Sequence, residues 1–180
     1  MKKLFILFFV IGFSLVGCSQ EPKNEISEPE VKKTIDENVQ GDFVFRLVSE
    51  KKEYGDGENV KLYGEITYTG DKDEVTITHS SSAILFSLEE KGRGFNIGYS
   101  VEDIELVTVL KKGEPYREEY VKSGGYDAGD PSDYVRFIKR FLNNEGFPSG
   151  YYIVNGETDF FLKDKERVNI KATINFKVVE

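Results

Sequence analysis

The chain has 180 residues, with 24 lysines and arginines against 32 aspartates and glutamates, one histidine, one cysteine and no tryptophan. A net charge of −8 excludes the basic stripe on which nucleic-acid binding rests, and a single cysteine excludes an intrachain disulfide framework or a thiolate metal cluster. Packing of apolar side chains must therefore carry the stability, and the roughly 139 residues from Asp42 onward suit one domain.

The chain opens on Met1-Lys2-Lys3, runs through an apolar stretch from Leu4 to Val16, and reaches the tetrapeptide Leu15-Val16-Gly17-Cys18. That stretch is shorter than the ~20 residues a membrane span needs. A cationic start, a short apolar run and small residues before the cut form a bacterial lipoprotein signal over residues 1–17. Cleavage before Cys18 leaves its thiol to receive a diacylglyceryl group, whose two acyl chains anchor stably where one would bind only marginally. The expectation is a cell-membrane protein held at the extracytoplasmic face by lipid on Cys18. The leader removes two lysines and no acids, so 22 basic residues remain against 32 acidic ones, a net −10. Such a charge favours solubility and opposes docking on anionic headgroups.

Residues 18–41 are rich in charge, carry Pro22 and Pro29, and hold few apolar side chains. They are expected to form a flexible acidic tether, with a mean reach of roughly 25–30 Å. A helix over Glu28 to Glu37 would be marginal.

Residues 42–180 are expected to form the folded domain. Phe43, Phe45 and Leu47 alternate with Val44, Arg46 and Val48 in a first strand. After the turn Gly55-Asp56-Gly57, Val60, Leu62, Ile66 and Tyr68 share one face of a second. Short strands are expected over Val75 to Thr78 and Ala83 to Leu88, followed by a turn at Glu89 to Gly94 and a return through Phe95, Ile97 and Tyr99. Further strands run through Ile104 to Leu110 and Pro115 to Val121. The cleanest alternation is Val168, Ile170, Ala172, Ile174, Phe176 and Val178, which buries one face and solvates the other.

One helix interrupts this rhythm, near 131–144. Asp130 is the expected cap and Pro131 the first helical residue; Val135, Ile138, Phe141 and Leu142 recur at helical spacing, and Gly146 and Pro148 follow the end. Arg136, Lys139 and Arg140 face outward, toward the carboxyl half where they complement the helix dipole. The helix is expected to cross over and cover one open end of a sandwich.

Many short strands and one helix predict a mostly β fold, an antiparallel immunoglobulin-like β-sandwich with one crossover helix. Phe147-Pro148-Ser149-Gly150-Tyr151-Tyr152, with Leu110-Lys111-Lys112-Gly113-Glu114 upstream, resembles the arrangement before the final strands of bacterial Ig-like domains. The strand layout from Phe43 to Val178 is also loosely similar to the intracellular proteinase inhibitor domain of bacilli, although no segment matches a reactive loop. The lipobox and the lysine-rich, cysteine-poor composition resemble surface lipoproteins of Gram-positive bacteria.

Chemistry-bearing motifs are few. His79 precedes Ser80, Ser81 and Ser82, but neighbouring strand residues face opposite ways and no Gly-x-Ser-x-Gly elbow exists, so no catalytic residue is expected. Asp127, Asp130 and Asp133 lie in a Gly-rich stretch without the spacing of a calcium loop, so no metal or cofactor is assigned. Six tyrosines fall between residues 116 and 152. Tyrosine gives contact area at low entropy cost, which makes the 116–134 segment, with Tyr116, Tyr120, Tyr126, Asp127, Asp130 and Tyr134, the expected binding surface. The resulting expectation is a non-catalytic binding or accessory module whose partners are membrane lipid, through Cys18, and a protein or cell-envelope component. A peptidase-inhibitor-like domain, or an envelope enzyme with a dispersed carboxylate site, are the alternatives.

Overall fold

The computed structural model describes residues 30–164 and 166–180. The leader, Cys18 and residues 18–29 of the expected tether lie outside them. Eleven strands and one helix follow in order: β1 (Ile35–Gln40), β2 (Phe43–Ser49), β3 (Glu53–Gly55), β4 (Leu62–Tyr68), β5 (Glu74–Glu90), β6 (Phe95–Ile97), β7 (Leu106–Lys111), β8 (Pro115–Glu119), α1 (Ser132–Asn143), β9 (Gly150–Leu162), β10 (Arg167–Val168) and β11 (Lys171–Val179). One sheet has the order β1-β2-β4-β8. The other runs β3-β11-β9-β5-β6, with β7 beside the first half of β5 and β10 on the end of β9. All pairs are antiparallel except β3 with β11. The fold is a β-sandwich with a single helix, as the period-2 patterning indicates.

The core lies between the sheets. Phe45, Leu47 and Ile66 from the first sheet and Ile77, Ile84, Phe86, Phe160, Ile174 and Phe176 from the second are fully buried. Phe43 meets Phe160 edge-on across the gap, with ring centroids 5.1 Å apart. Two glycines let the layers approach. A Cβ on Gly64 would fall 2.9 Å from Ile84 Cδ1 and 3.0 Å from Phe45, and one on Gly156 would fall 2.9 Å from Leu47 Cδ1 and 3.1 Å from Phe45. The Phe45 ring occupies the room that both glycines leave.

Four local expectations need correction. The part of the expected tether from Val31 to Gly41 belongs to the sandwich: β1 pairs along its whole length with β2, from Ile35 opposite Val48 to Gln40 opposite Phe43. Its side chains other than Asp36 stay exposed, so its composition reads as linker while its backbone is fully used. Val31 is buried, Asn175 Oδ1 accepts from Lys32 N at 2.6 Å, and Asp36 Oδ2 accepts from Thr173 N at 2.7 Å. The marginal helix over Glu28 to Glu37 is correspondingly replaced by strand from Ile35 onward. The two strands expected at 75–78 and 83–88 are one 17-residue strand, β5, whose register on β9 shifts between His79 and Ile84. Such a bulge breaks the alternation without ending the strand. Finally, Asp130 does not cap α1: Pro131 takes the N-cap position with φ −56° and ψ 139°, and no side chain caps the helix.

The helix closes one end of the sandwich through Phe137, Ile138 and Phe141, all buried, while Arg136, Lys139 and Arg140 are exposed. Phe141 packs edge-on against Phe147 at 4.8 Å, and Phe147 against Tyr152 and Phe176. Beyond the helix, Gly146 lies against the backbone of Gly57, where a Cβ would come within 2.7 Å.

Substituting Gly156→Ala forces a methyl into Leu47 and Phe45, and overpacking of this kind costs about 1–3 kcal/mol. Urea unfolding should show a lowered midpoint at unchanged slope; an unchanged midpoint would mean that the layers have slack at this point.

Candidate functional site

The six side chains expected to form a binding surface divide into two groups. Tyr116 and Tyr120 belong to the sandwich. Tyr116 donates to Glu118 Oε1 at 2.7 Å and lies near the His79 ring, with centroids 6.4 Å apart. Tyr120 packs between Phe86, Tyr99 and Phe147, and its buried hydroxyl makes no well-formed hydrogen bond among the described residues. Burial raises both phenol pKa values well above the usual range, and for Tyr116 the Glu118 carboxylate adds to the effect. Burial lifts Tyr152 in the same way, and its hydroxyl donates to Pro148 O at 2.6 Å.

The second group does converge. Tyr126, Asp127 and Asp130 line a shallow concavity of ≈ 620 Å³ together with Ala128, Ser132, Val135 and Arg136. The aspartates shape the loop itself: Asp130 Oδ2 accepts from Asp127 N and Asp127 Oδ1 from Gly129 N, each at 2.8 Å. Asp130, at the position where a cap was expected, thus closes the turn that presents Tyr126. Lys139 lies over the Tyr126 ring at 5.1 Å. Tyr134 supports the concavity without lining it; its hydroxyl donates to Gly125 O at 3.1 Å, and its ring packs on Phe95. The lining thus combines apolar and aromatic side chains with the carboxylates of Asp127 and Asp130 and the Arg136 guanidinium.

Lys122 secures the start of this loop. Its ammonium donates to the carbonyls of Phe141, Asn144 and Gly146 at 2.9, 2.8 and 2.6 Å, serving the open end of α1. Burial near Phe141 and Phe147 pulls its pKa down to about 8, which still leaves it charged at neutral pH. Neither Lys122 nor the lining residues Val135 and Arg136 carry a motif. They reach the site only through the helix packing, so local sequence spacing gives no signal for them.

The histidine–serine stretch is absorbed by the β5 bulge. His79 Nδ1 lies 2.7 Å from Ser80 O, which can only accept, so this nitrogen carries hydrogen; Nε2 shares a hydrogen bond with Thr108 Oγ1 at 2.9 Å, as acceptor when the ring is neutral. Ser80 donates to Ser82 O, Ser81 Oγ accepts from Glu102 N, and Ser82 donates to Glu118. Glu118 also accepts from Ala83 N at 2.9 Å and Ile84 N at 3.3 Å, tying β8 of one sheet to the bulge of the other. A wider groove of ≈ 740 Å³ runs past Arg93, Tyr151 and Lys177, but the buried Glu90 beside it is occupied by the N–H groups of Gly92, Arg93 and Tyr151. Among the described residues no three histidine, cysteine, aspartate or glutamate side chains converge to hold a metal ion, and no helix is long and apolar enough to cross a membrane.

Compared with known proteins, the chain matches no family model, and neither a curated protein nor a solved structure is significantly similar to it.

Two outcomes follow from the buried tyrosines. Tyr120→Phe removes a buried hydroxyl that has no well-formed hydrogen bond among the described residues, so stability should stay level or rise by up to about 1 kcal/mol in urea unfolding; a clear loss would mean that the Ser123 backbone beside it serves as its partner. The second concerns alkaline pH. Tyr116, Tyr120 and Tyr152 have folded-state pKa values above their unfolded value near 10, so the unfolded chain releases these protons first. Their contribution is complete below about pH 10 and is lost as pH rises through the folded values. Circular dichroism and phenolate absorbance should change together in a titration above pH 10. Full phenolate formation with the fold intact would refute this.

Proposed function

We propose that the chain is a lipid-anchored, extracytoplasmic binding or accessory module that performs no catalysis of its own. The observation that carries this reading is the Leu15-Val16-Gly17-Cys18 tetrapeptide at the end of the apolar leader, which assigns Cys18 a diacylglyceryl group and the acidic domain a place beside the membrane. Two features of the domain support it. His79, Glu118 and Glu90, three groups of the kind that do proton chemistry, are engaged in holding strands and turns. The concavity at Tyr126, Asp127, Asp130, Val135 and Arg136 offers contact area and charge without a reactive centre. Its partner is a protein or cell-envelope component with an apolar protrusion and polar groups to meet that charge.

The test uses the tagged full chain in its membrane. Fatty-acid labelling and membrane retention should both be lost on Cys18→Ala. Crosslinking in cells should recover a dominant partner from the anchored form, with several-fold less from Tyr126→Ala or Arg136→Ala. An unlabelled Cys18, or recovery indifferent to the concavity, would overturn the proposal.

A further inference from the structure

The sheet edges of this domain are protected unequally. An edge strand exposes unpaired N–H and C=O groups, and proteins usually blunt it with charge, proline or brevity. Strand β1 carries Asp36 and Glu37, β8 carries Pro115, Arg117 and Glu119, and β3 and β6 are three residues each. Strand β7 has none of these devices within its centre. It pairs with β5 on one side, and its only other pairing among the described residues is a bridge from Tyr68 to Lys112 just past its end. Leu106 to Leu110 contains no charge, and Leu106, Val107 and Val109 are 41%, 65% and 51% exposed.

The order of residues on this edge identifies what fits it. Glu105-Leu106-Val107-Thr108-Val109-Leu110-Lys111 reads the same in both directions about Thr108, except that its two ends carry opposite charges. In an antiparallel pair with a second copy, a two-fold axis at Thr108 sets Val107 opposite Val109, Leu106 opposite Leu110 and Glu105 opposite Lys111, each contact occurring twice. Cross-strand β-branched pairs and opposite charges stabilise such a ladder, and an isologous interface requires this kind of self-complementarity. Glu105 has no ion pair among the described residues, and Lys111 reaches only Glu114, at 3.9 Å with both side chains largely exposed. A foreign strand would gain nothing from the palindrome. Net repulsion between two acidic copies is screened beyond about 8 Å at physiological salt, whereas the Glu105–Lys111 pairs lie within contact.

We propose that β7 is the seam of a symmetric homodimer in which two copies pair antiparallel about Thr108 and their larger sheets become continuous. The inference is independent of the lipid anchor and of the helix-end concavity.

The test uses the full chain in membranes, mildly oxidised and run without reductant. Val107→Cys/Val109→Cys should give a disulfide-linked dimer. Each single variant should give no more than the unsubstituted chain, because the diagonal separation of like positions exceeds disulfide reach. Adding Glu105→Lys should lower the dimer yield several-fold by placing lysine opposite lysine twice, and the swap Glu105→Lys/Lys111→Glu should restore it, which also shows that the fold is intact. Absence of the dimer in the double-cysteine form, equal yields from the single variants, or indifference to the charge reversal would each overturn the proposal.

Discussion

The spacing between the two sheets depends on one ring and two missing side chains. Phe45 is fully buried and lies against both Gly64 of its own sheet and Gly156 of the facing one. Side chains larger than hydrogen at either position would push the layers apart, and the rings around this point would then lose their edge-on contacts. The aromatic chain that starts with Phe43 and Phe160 and the separate group of Phe147, Tyr152 and Phe176 under the helix both depend on that separation. The helix in turn is held by Phe141 on Phe147 and by the three carbonyls at its end that Lys122 serves. Position of the helix-end concavity is therefore a consequence of the layer spacing, transmitted through packed rings rather than through a dedicated scaffold.

Carboxylates do the corresponding work at the margins. Glu118 ties the edge of the smaller sheet to the irregular stretch of β5, where four residues lie between paired positions. Glu90 gathers the N–H groups of the β5–β6 turn, and Gly150 leaves it room, since a Cβ there would come 2.6 Å from its Oε1. Glu65 is almost buried on the outer face of β4, where Arg117 donates to it at 2.7 and 3.0 Å and also stacks over Tyr63 at 3.8 Å. A sandwich without disulfides thus secures its edges with charge-assisted hydrogen bonds to backbone and guanidinium.

How far the sequence carries such a reading depends on how local each signal is. The alternation from Val168 to Val178 predicts a buried face, and all six of those side chains are buried. The spacing of Ile138 and Phe141 likewise places α1 against the core. Strand β1 escapes because pairing uses its backbone while its side chains look like linker. The continuity of β5 escapes because the bulge replaces alternation with serines. Strand β9, whose apolar alternation is interrupted by Gly156 and the buried Thr158, escapes as well; its glycine marks close packing, a property that only the facing sheet reveals. Of the expected binding residues, proximity in sequence brings Tyr126, Asp127 and Asp130 together. Tyr116 and Tyr120 are set apart because both turn into the sandwich, Tyr116 to Glu118 and His79 and Tyr120 to Phe86, Tyr99 and Phe147.

The long strand β5 also separates the two surfaces to which recognition is assigned. Its first half pairs with β7 and its last three residues with β6, beside which Phe95 carries Tyr134 and the helix. Ile77 and Glu89 face Leu162 and Ile153 of β9, so at about 3.3 Å per residue along that strand they stand roughly 30 Å apart. A seam at β7 therefore leaves the concavity at Tyr126 uncovered, and a two-fold axis through Thr108 places the two concavities at the far ends of a shared sheet. Two such sites on one shared sheet would bind a repetitive or multimeric partner with the advantage of effective concentration, provided the partner's own spacing matched theirs. In that arrangement weak contact at each concavity would suffice.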